Sequence, residues 1–444
     1  MCRTRSGHPR LLISALTLSF ATVLAVGIST LAPATSGASP SSSRGVVKGS
    51  ALTIAVVQPF TGTTAAFGPP ILAACDAAAR LVNQDGGING HVLTCAQVDT
   101  RGDSVDAVPA VDKLLATSGN ALIGVLGPSS GTAFSVVPIF NSHRIVMFSD
   151  AGQSKFDKTK NNYFWDIAPP DSANGSALAA WAVHVGYNKV AAVFSSGTTT
   201  ATEHSASVAA FKRLGGRLVV NLSISDNATS YTPQVLQVIR SKPQAIFYGA
   251  GAQTSATFFS ELQSEGGGNI PVLGPQDLLT PQMTAAIRGA IGADNLAKHF
   301  TAIEAPVPST PGLRIFQRSI ETLSHTFKGV KTDAIDPFVI AAYDGAVTLA
   351  LAAQETKAGT GSPKIEDAVA AMLRTSKGQT VVDSFASGKA ALQEGKHIRY
   401  AGGMGKVSYT PYHIPLGTFL AVKVEGAGKV IGKVPSSLLL RAEG

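Results

Sequence analysis

Beyond about residue 50 the chain alternates short apolar runs with stretches of helical period. Residues 52–57 form a β-type run, and 71–83 carry an Ala-rich helical pattern that stops at Gly86-Gly87. Strand-like runs follow at 92–98, 121–126 and 145–148, separated by helical patterns at 105–115 and 132–141. The predicted order is βαβαβαβ. Parallel neighbours require crossover connections of this kind, so the pattern predicts a doubly wound parallel sheet covered on both faces.

The rhythm restarts after a turn-rich connection, Ala168-Pro169-Pro170-Asp171-Ser172, in which proline removes donors and blocks helix propagation. Helical patterns at 177–184, 203–214, 233–240 and 255–265 alternate with strands at 189–194, 217–222, 245–248 and 271–273. Later come helices at 313–327, 337–354 and 365–373, then β-type runs at 406–409 and 419–425. Late helices after two βα series return to cover earlier sheets. The expected fold class is α/β, two doubly wound Rossmann-like lobes joined by a hinge that the chain crosses more than once. The expected division is 51–168 plus 304–385 for the first lobe and 169–303 plus 386–444 for the second.

The N-terminus follows a different pattern. Arg3, Arg5 and Arg10 precede an apolar run at 11–28, then small-residue sites at Ala32-Pro33-Ala34 and Ser36-Gly37-Ala38. This is the order of a secretory signal, so residues 1–38 are read as a signal peptide and 39–50 as a flexible Ser/Pro/Gly-rich leader. The alternative is an uncleaved anchor; either way the globular part is expected outside the cytoplasm, periplasmic, cell-surface or secreted. Cys2 lies ahead of the apolar run, so lipid anchoring at a processed cysteine is not supported. No second apolar stretch of spanning length is read from the sequence.

Composition narrows the partners. The formal charge of +8 falls to +5 once the three leader arginines are removed. Charged residues make up 14% of the chain, below the roughly 25% of ordinary soluble domains, and no basic run interleaved with aromatics occurs. A nucleic-acid partner is not expected. Cys75 and Cys95 remain after processing in a compartment that permits disulfides, and they are expected to pair. The alternatives are two buried thiols, or a metal site that two cysteines without nearby histidines hardly support. The nine histidines show no ligand spacing, Gly249-Ala250-Gly251 lacks the third glycine of a dinucleotide fingerprint, and Gly405-Lys406 lacks the Ser/Thr of a P-loop. Neither metal nor cofactor is expected.

The strand at 54–57 leads into Thr61-Gly62 and Ala65-Ala66-Phe67-Gly68, and Gly86-Gly87-Ile88-Asn89-Gly90 ends the first helix. Asp99 and Asp103 then follow the second strand, Gly127-Pro128-Ser129-Ser130 the third, and Ala341-Ala342-Tyr343-Asp344 comes late. In this order and spacing, residues 52–424 resemble the type I periplasmic-binding-protein fold of branched-chain amino acid and amide solute-binding proteins. The resemblance implies a monomeric binding protein that closes two lobes on a small-molecule solute and delivers it to an ABC permease.

It also implies a site. Ser129, with Ser130 beside it, matches the serine whose hydroxyl and neighbouring amides hold a substrate carboxylate; Ala151 and Gln153 match further donors, and Phe67 the aromatic that covers the ligand. Plainer readings stand beside these: Phe67 as core at the first helix, Ser129 and Ser130 as helix N-caps, Asp99 and Asp103 as a cap or lobe-surface acids. The second lobe departs from the amino acid pattern. Two expected tyrosines correspond to Thr199 or Thr200 and to Gly251, and the acid for an α-ammonium corresponds to Gln276. A neutral amide cannot offset a buried ammonium; Asp277 or Asp150 would have to take that role. The expected ligand is therefore a small polar solute: amino acid, amide or small organic acid.

Gly127-Pro128-Ser129-Ser130-Gly131 also matches the G-x-S-x-G nucleophile elbow, and this defines the rival reading, a secreted serine esterase with Asp277 and His397 or His413. Against it, no HGGG-like oxyanion segment appears, and a hydrolase cap does not explain a second βα series. A ligand-sensing ectodomain is a third class, which would need the N-terminal segment as its span.

Overall fold

The computed structural model describes residues 49–62, 64–356, 363–426 and 428–443. The signal segment, and the expected leader up to residue 48, lie outside them. Gly49 and Ser50, placed in the leader by sequence, already belong to the first strand.

In the first lobe β1 (Gly49–Gln58), α1 (Gly68–Gln84), β2 (His91–Asp99), α2 (Ser104–Ser118), β3 (Leu122–Leu126), α3 (Ala133–Ser142), β4 (Met147–Ser149) and β5 (Phe164–Asp166) alternate as expected. The sheet order is β2-β1-β3-β4-β5, all parallel. The short β5, Phe-Trp-Asp, escaped the periodicity because three buried residues carry no alternation.

The chain crosses to the second lobe at α4 (Asp171–His184), followed by β6 (Lys189–Ser195), α5 (Thr198–Arg213), β7 (Arg217–Ile224), α6 (Thr232–Ser241), β8 (Ala245–Gly249), α7 (Ala252–Ser264), β9 (Val272–Pro275), α8 (Pro281–Ile291), α9 (Ala293–His299) and β10 (Phe300–Glu304). Helix α4 starts six residues before its expected position, directly after Pro170. Proline stops a helix that runs into it but not one that begins behind it. After α10 (Pro311–Glu321), α11 (Val330–Asp333), α12 (Pro337–Thr356), α13 (Pro363–Leu373), β11 (Thr380–Val382), α14 (Phe385–Gln393) and β12 (Ile398–Tyr400), the chain ends with β13 (Leu420–Lys423), β14 (Lys429–Lys433) and α15 (Ser436–Glu443). The second sheet runs β14-β13-β10-β9-β8-β6-β7, parallel except at β13 and β14.

Two points correct the sequence reading. Helix α12 is long and apolar enough to cross a membrane by composition, yet most of it is buried against α1, α13, α14 and β3, where Ile340, Tyr343, Leu349 and Leu351 form part of the core of the first lobe. Its apolarity is that of a helix covered all round. The return to the second lobe also comes later than residue 386. Strand β12 pairs in parallel with β11, and Ala391, Ile398 and Tyr400 lie in the first lobe's core, so the chain rejoins the second sheet only at β13. Among the described residues the lobes are thus linked by three segments, at 167–170, 305–310 and 401–419.

The third segment is tied down at both ends of its first-lobe portion. Asp344 on α12 accepts hydrogen bonds from Gly403 N–H (2.8 Å), Met404 N–H (2.7 Å) and Tyr400 O–H (2.9 Å). Further on, His413 stacks on Trp165 of β5 with ring centroids 3.8 Å apart. Arg374 can only donate, so its contact with His413 Nε2 at 2.8 Å places the ring proton on Nδ1, which donates to the Phe164 carbonyl. A disulfide joins Cys75 of α1 to Cys95 of β2, as the compartment argument predicted.

Candidate functional site

Each sheet has one place where the strand order reverses: between β1 and β3 in the first lobe, and between β6 and β8 in the second. The crevice beyond the carboxyl ends of strands at such a point is where open α/β sheets bind ligands. Here the segments that emerge are 58–61 and 127–131 on one side, 195–197 and 249–251 on the other.

Gly127 leaves β3 with φ 115°, and a Cβ there would lie 2.2 Å from the Val57 carbonyl of β1. Only glycine meets both conditions. The Ser129 carbonyl accepts the Thr132 and Ala133 N–H groups at 3.0 and 3.1 Å, turning the chain into α3. Helix α3 begins at Ala133 with Thr132 as its N-cap, so Ser129 and Ser130 do not cap it. Instead the N–H groups of Ser129, Ser130 and Gly131 and the Ser129 hydroxyl have no hydrogen-bond acceptor among the described residues, and both serines are partly exposed. Free amides with a hydroxyl form a small anion-binding concavity.

The loop is held from behind. Ser149 Oγ donates to the Pro128 carbonyl (2.6 Å), Gln153 Nε2 to the Ser130 carbonyl (2.6 Å), and Gln58 Nε2 to Asp150 Oδ1 (3.0 Å). Ala151 is fully buried and its N–H donates to Ser149 Oγ at 3.2 Å. The donors of Ala151 and Gln153 are therefore engaged inside the lobe. Phe67 is 62% exposed at the start of α1, not core, and its ring is available to a ligand. Asp99 organises the β1 exit, accepting from Phe60 N–H, Thr61 N–H, Thr61 Oγ and Arg101 N–H. Burial pushes its carboxyl up, but these four bonds prevail and hold it below the usual range. Asp103 caps α2 through Val105 N–H at 2.7 Å. Both acids thus have structural roles.

On the second lobe Thr200 Oγ donates to the carbonyls of Gly197 (2.9 Å) and Ser195 (3.1 Å), tying the turn into α5. The Thr199 side chain lies outside the described residues. Gly251 precedes α7 at φ −66°, which any residue adopts, and a Cβ there would meet nothing within 4 Å. Its missing side chain leaves open space. Gln276 begins the 3-10 turn Gln276–Leu279 and is half-buried. Asp277 is solvent-accessible, yet the protein around it raises its carboxyl by desolvation.

Two acids that the sequence reading passed over join Asp277. Asp171, first in α4, donates its N–H to the Gly152 carbonyl at 2.9 Å, and a Cβ on Gly152 would lie 2.7 Å from Asp171 Oδ1. The first link between the lobes therefore sets Asp171 against the 150–153 loop. Burial, then the Asp277 and Asp157 charges, push its carboxyl up to about 7. Glu203 of α5 is only 4% exposed, and burial with the Asp277 and Asp171 charges raises it well above the usual range. A signal existed: Glu203 shares the inward stripe of α5 with Ser207 and Ala210, four and seven residues on.

The esterase arrangement is not assembled. His413 is committed to Arg374 and Phe164, while His397 precedes β12 and lies near Glu355. Ser129 sits in an extended loop four residues before α3, not at a strand-to-helix elbow.

Comparison with known proteins places these features in context. A family model described as periplasmic binding protein matches residues 51–425. A Leu/Ile/Val-binding protein homolog of Brucella melitensis is 26% identical over 96 residues, 22% of this chain; the match spans only 26% of that relative's length. Among solved structures, the branched-chain amino acid transporter substrate-binding protein LivJ of Streptococcus pneumoniae, in complex with isoleucine, superimposes with a TM-score of 0.65 at 16% identity, covering 86% of this chain and 98% of that one. A solute-binding protein of an ABC transporter from R. palustris, in complex with 4-hydroxybenzoate, gives 0.66 at 18% identity, covering 86% and 96%.

Proposed function

Since the chain belongs to the periplasmic binding protein family, we propose that it is the extracytoplasmic solute-binding subunit of an ABC importer, and that its solute is a small polar molecule bearing a carboxylate. The observation that carries this reading is the 127–131 loop, whose three free N–H groups and Ser129 hydroxyl are braced by Ser149 and Gln153 and suit a carboxylate. Isoleucine and 4-hydroxybenzoate, named with two of the similar structures, both carry that group.

In the proposed cycle the solute docks on the first lobe at Ser129 and Ser130, under Phe67. Hinge motion about the three linking segments then brings up Gly251, Gln276, Asp277 and the turn at Thr199 and Thr200. The solute shifts an existing open–closed equilibrium by the contacts it makes only in the closed state. A permease in the membrane reads the closed form. The protein acts after export, as a monomer.

The test is a thermal-shift screen of protein stripped of ligand by unfolding and refolding, against amino acids, amides, aromatic acids and sugars. A native-state ligand at about 100 times its Kd stabilises by about 2.7 kcal/mol. Carboxylates should raise the midpoint of the parent and lose that effect in Ser129→Ala. Sugars alone raising it would refute the carboxylate reading, and no shift with any solute would refute the binding role.

A further inference from the structure

The second sheet ends in β14, Lys-Val-Ile-Gly-Lys, whose outer edge pairs with no strand among the described residues. Val430 is 56% and Ile431 43% exposed. The exposed side chains of the edge strands β2 and β7 are polar instead: Thr94 and Gln97 on the one, Arg217, Asn221 and Ser223 on the other. Water-facing aliphatic residues on a free edge are a liability unless something covers them.

Lysines surround this pair. Lys429 and Lys433 bracket it, and Lys429 stands directly opposite Lys423 of β13, a pairing of like charges that destabilises neighbouring strands. Lys423 Nζ donates to the Lys298 carbonyl at the foot of β10 (2.7 Å). Desolvation, then the Lys298 and Lys423 charges, hold the adjacent His299 imidazole below its usual value. Desolvation also pushes Lys423 down, against the pull of Glu425 in the turn. No ion pair among the described residues includes any of the four lysines. Lys298 lies in the last turn of α9, where a cation offsets the helix dipole. The lysines of β13 and β14 have no such reason.

Charge and geometry select the occupant. A second copy of the chain does not fit, because antiparallel pairing of two β14 strands sets Lys429 against Lys433. An acidic peptide added as a further strand meets a bulge, where the β13–β14 register shifts. Strands are spaced about 4.8 Å apart, so it would also lie about 14 Å from β10 and leave the inner cations unpaired. A surface of anionic headgroups meets all four lysines at once and takes the aliphatic pair at its boundary with the acyl chains.

We propose that β14, with the adjoining ends of β13 and α9, is a docking face for an anionic lipid surface, Lys298, Lys423, Lys429 and Lys433 meeting the phosphates and Val430 and Ile431 entering the headgroup layer. The cleft segments leave β6 and β8, and β14 lies four strands from β8. The face therefore works in the open and the closed form, and it does not depend on the carboxylate reading.

The experiment is co-sedimentation of the exported chain with vesicles of phosphatidylcholine alone and with about 30% phosphatidylglycerol, at low and high salt. Insertion of a retained N-terminal apolar run would bring down protein with both compositions, so the readout is the difference between them. Anionic vesicles should bind at least about tenfold more strongly, and high salt should remove the difference. The double variant Lys429→Gln, Lys433→Gln should lose about tenfold or more, and Val430→Ser, Ile431→Ser about threefold or more. The first-lobe control Lys113→Gln, Lys331→Gln, with the same change in net charge, should bind as the parent does. Each variant should keep the parent's thermal midpoint and solute-induced shift, which checks the fold and the cleft. Equal binding to both vesicles, an unchanged Lys429→Gln, Lys433→Gln variant, or an equal loss in the control would overturn the proposal. Soluble polyphosphate binding as tightly as the vesicles, with the Val430→Ser, Ile431→Ser variant unaffected, would overturn the lipid assignment in favour of a free polyanion.

Discussion

Gln153 and Ser130 are joined across the first-lobe loops by a 2.6 Å hydrogen bond from the Gln153 side-chain amide to the Ser130 carbonyl. The resemblance implied that Gln153 meets the ligand; one N–H of its amide is engaged within the protein, and the bond orients the peptide beside the free N–H groups of the loop. Gln153→Ala would leave a carbonyl without its partner in a nearly closed site, at a cost of about 1–3 kcal/mol, and would weaken carboxylate binding through loop disorder. Gln153→Glu should be worse, since it sets an acceptor against an acceptor. Urea melts with and without the best solute check this; unchanged stability in both variants would show that the brace is dispensable.

The disulfide closes a separation of 20 residues between α1 and β2. Its removal in the double variant Cys75→Ala, Cys95→Ala should cost about 3 kcal/mol, mainly by freeing the unfolded chain. Thiol titration of the denatured, unreduced parent should find no free thiol at these positions. Two free thiols would refute the bridge.

How much could be read beforehand divides along physical lines. The parallel lobes were legible because buried strands and amphipathic helices impress different periods on the sequence, and the helix–strand order around Ser129 came with them. Strand β5, three buried residues, and the pair β11–β12 were not, since strands that short leave no period. The 127–131 loop was found through its glycine, proline and serines. Asp171 and Glu203 were missed because a lone acid beside Pro-Pro or within a Thr/Ala/Ser helix reads as a solvated side chain until the neighbouring helix covers it. The bonds that Gln153 and Ala151 make to Ser130 and Ser149 were not legible either, since no residue spacing announces those partners.

The hinge end near β5 should make stability depend on pH. Glu366 accepts the Trp165 indole N–H at 3.0 Å, and burial pushes its carboxyl up to about 8. A carboxyl raised in the folded state contributes stability that is present below its unfolded value and lost as pH rises through the folded one. His413 is pushed down to about 4 by burial and the Arg374 charge, so its contribution changes only below about 6.5. Between pH 6.5 and 8 Glu366 therefore acts without His413, and Glu203 and Asp166, both raised, act in the same direction. Ligand-free protein should lose stability over this window. Glu366→Gln, which keeps an acceptor for Trp165, should reduce the loss by about 1–2 kcal/mol. Urea melts at the two pH values check it, and an identical slope in the variant would contradict the assignment.

Gly251 offers a test of where the solute lies. Its backbone does not require glycine, and a Cβ there points into open space, so Gly251→Tyr should fold with stability within about 0.5 kcal/mol of the parent. The phenol ring would occupy the volume that the second lobe brings over the bound solute. Solutes that fill the cleft should lose their thermal shift in this variant, while the smallest carboxylates that bind the parent should retain theirs, because the 127–131 loop is untouched. The comparison separates two locations for the ligand. Size-dependent loss puts it between Ser129 and Gly251, at the strand reversals of both sheets. If the largest solute shifts parent and variant equally, the binding volume does not extend to Gly251, and closure over the solute would have to use other residues of the second lobe.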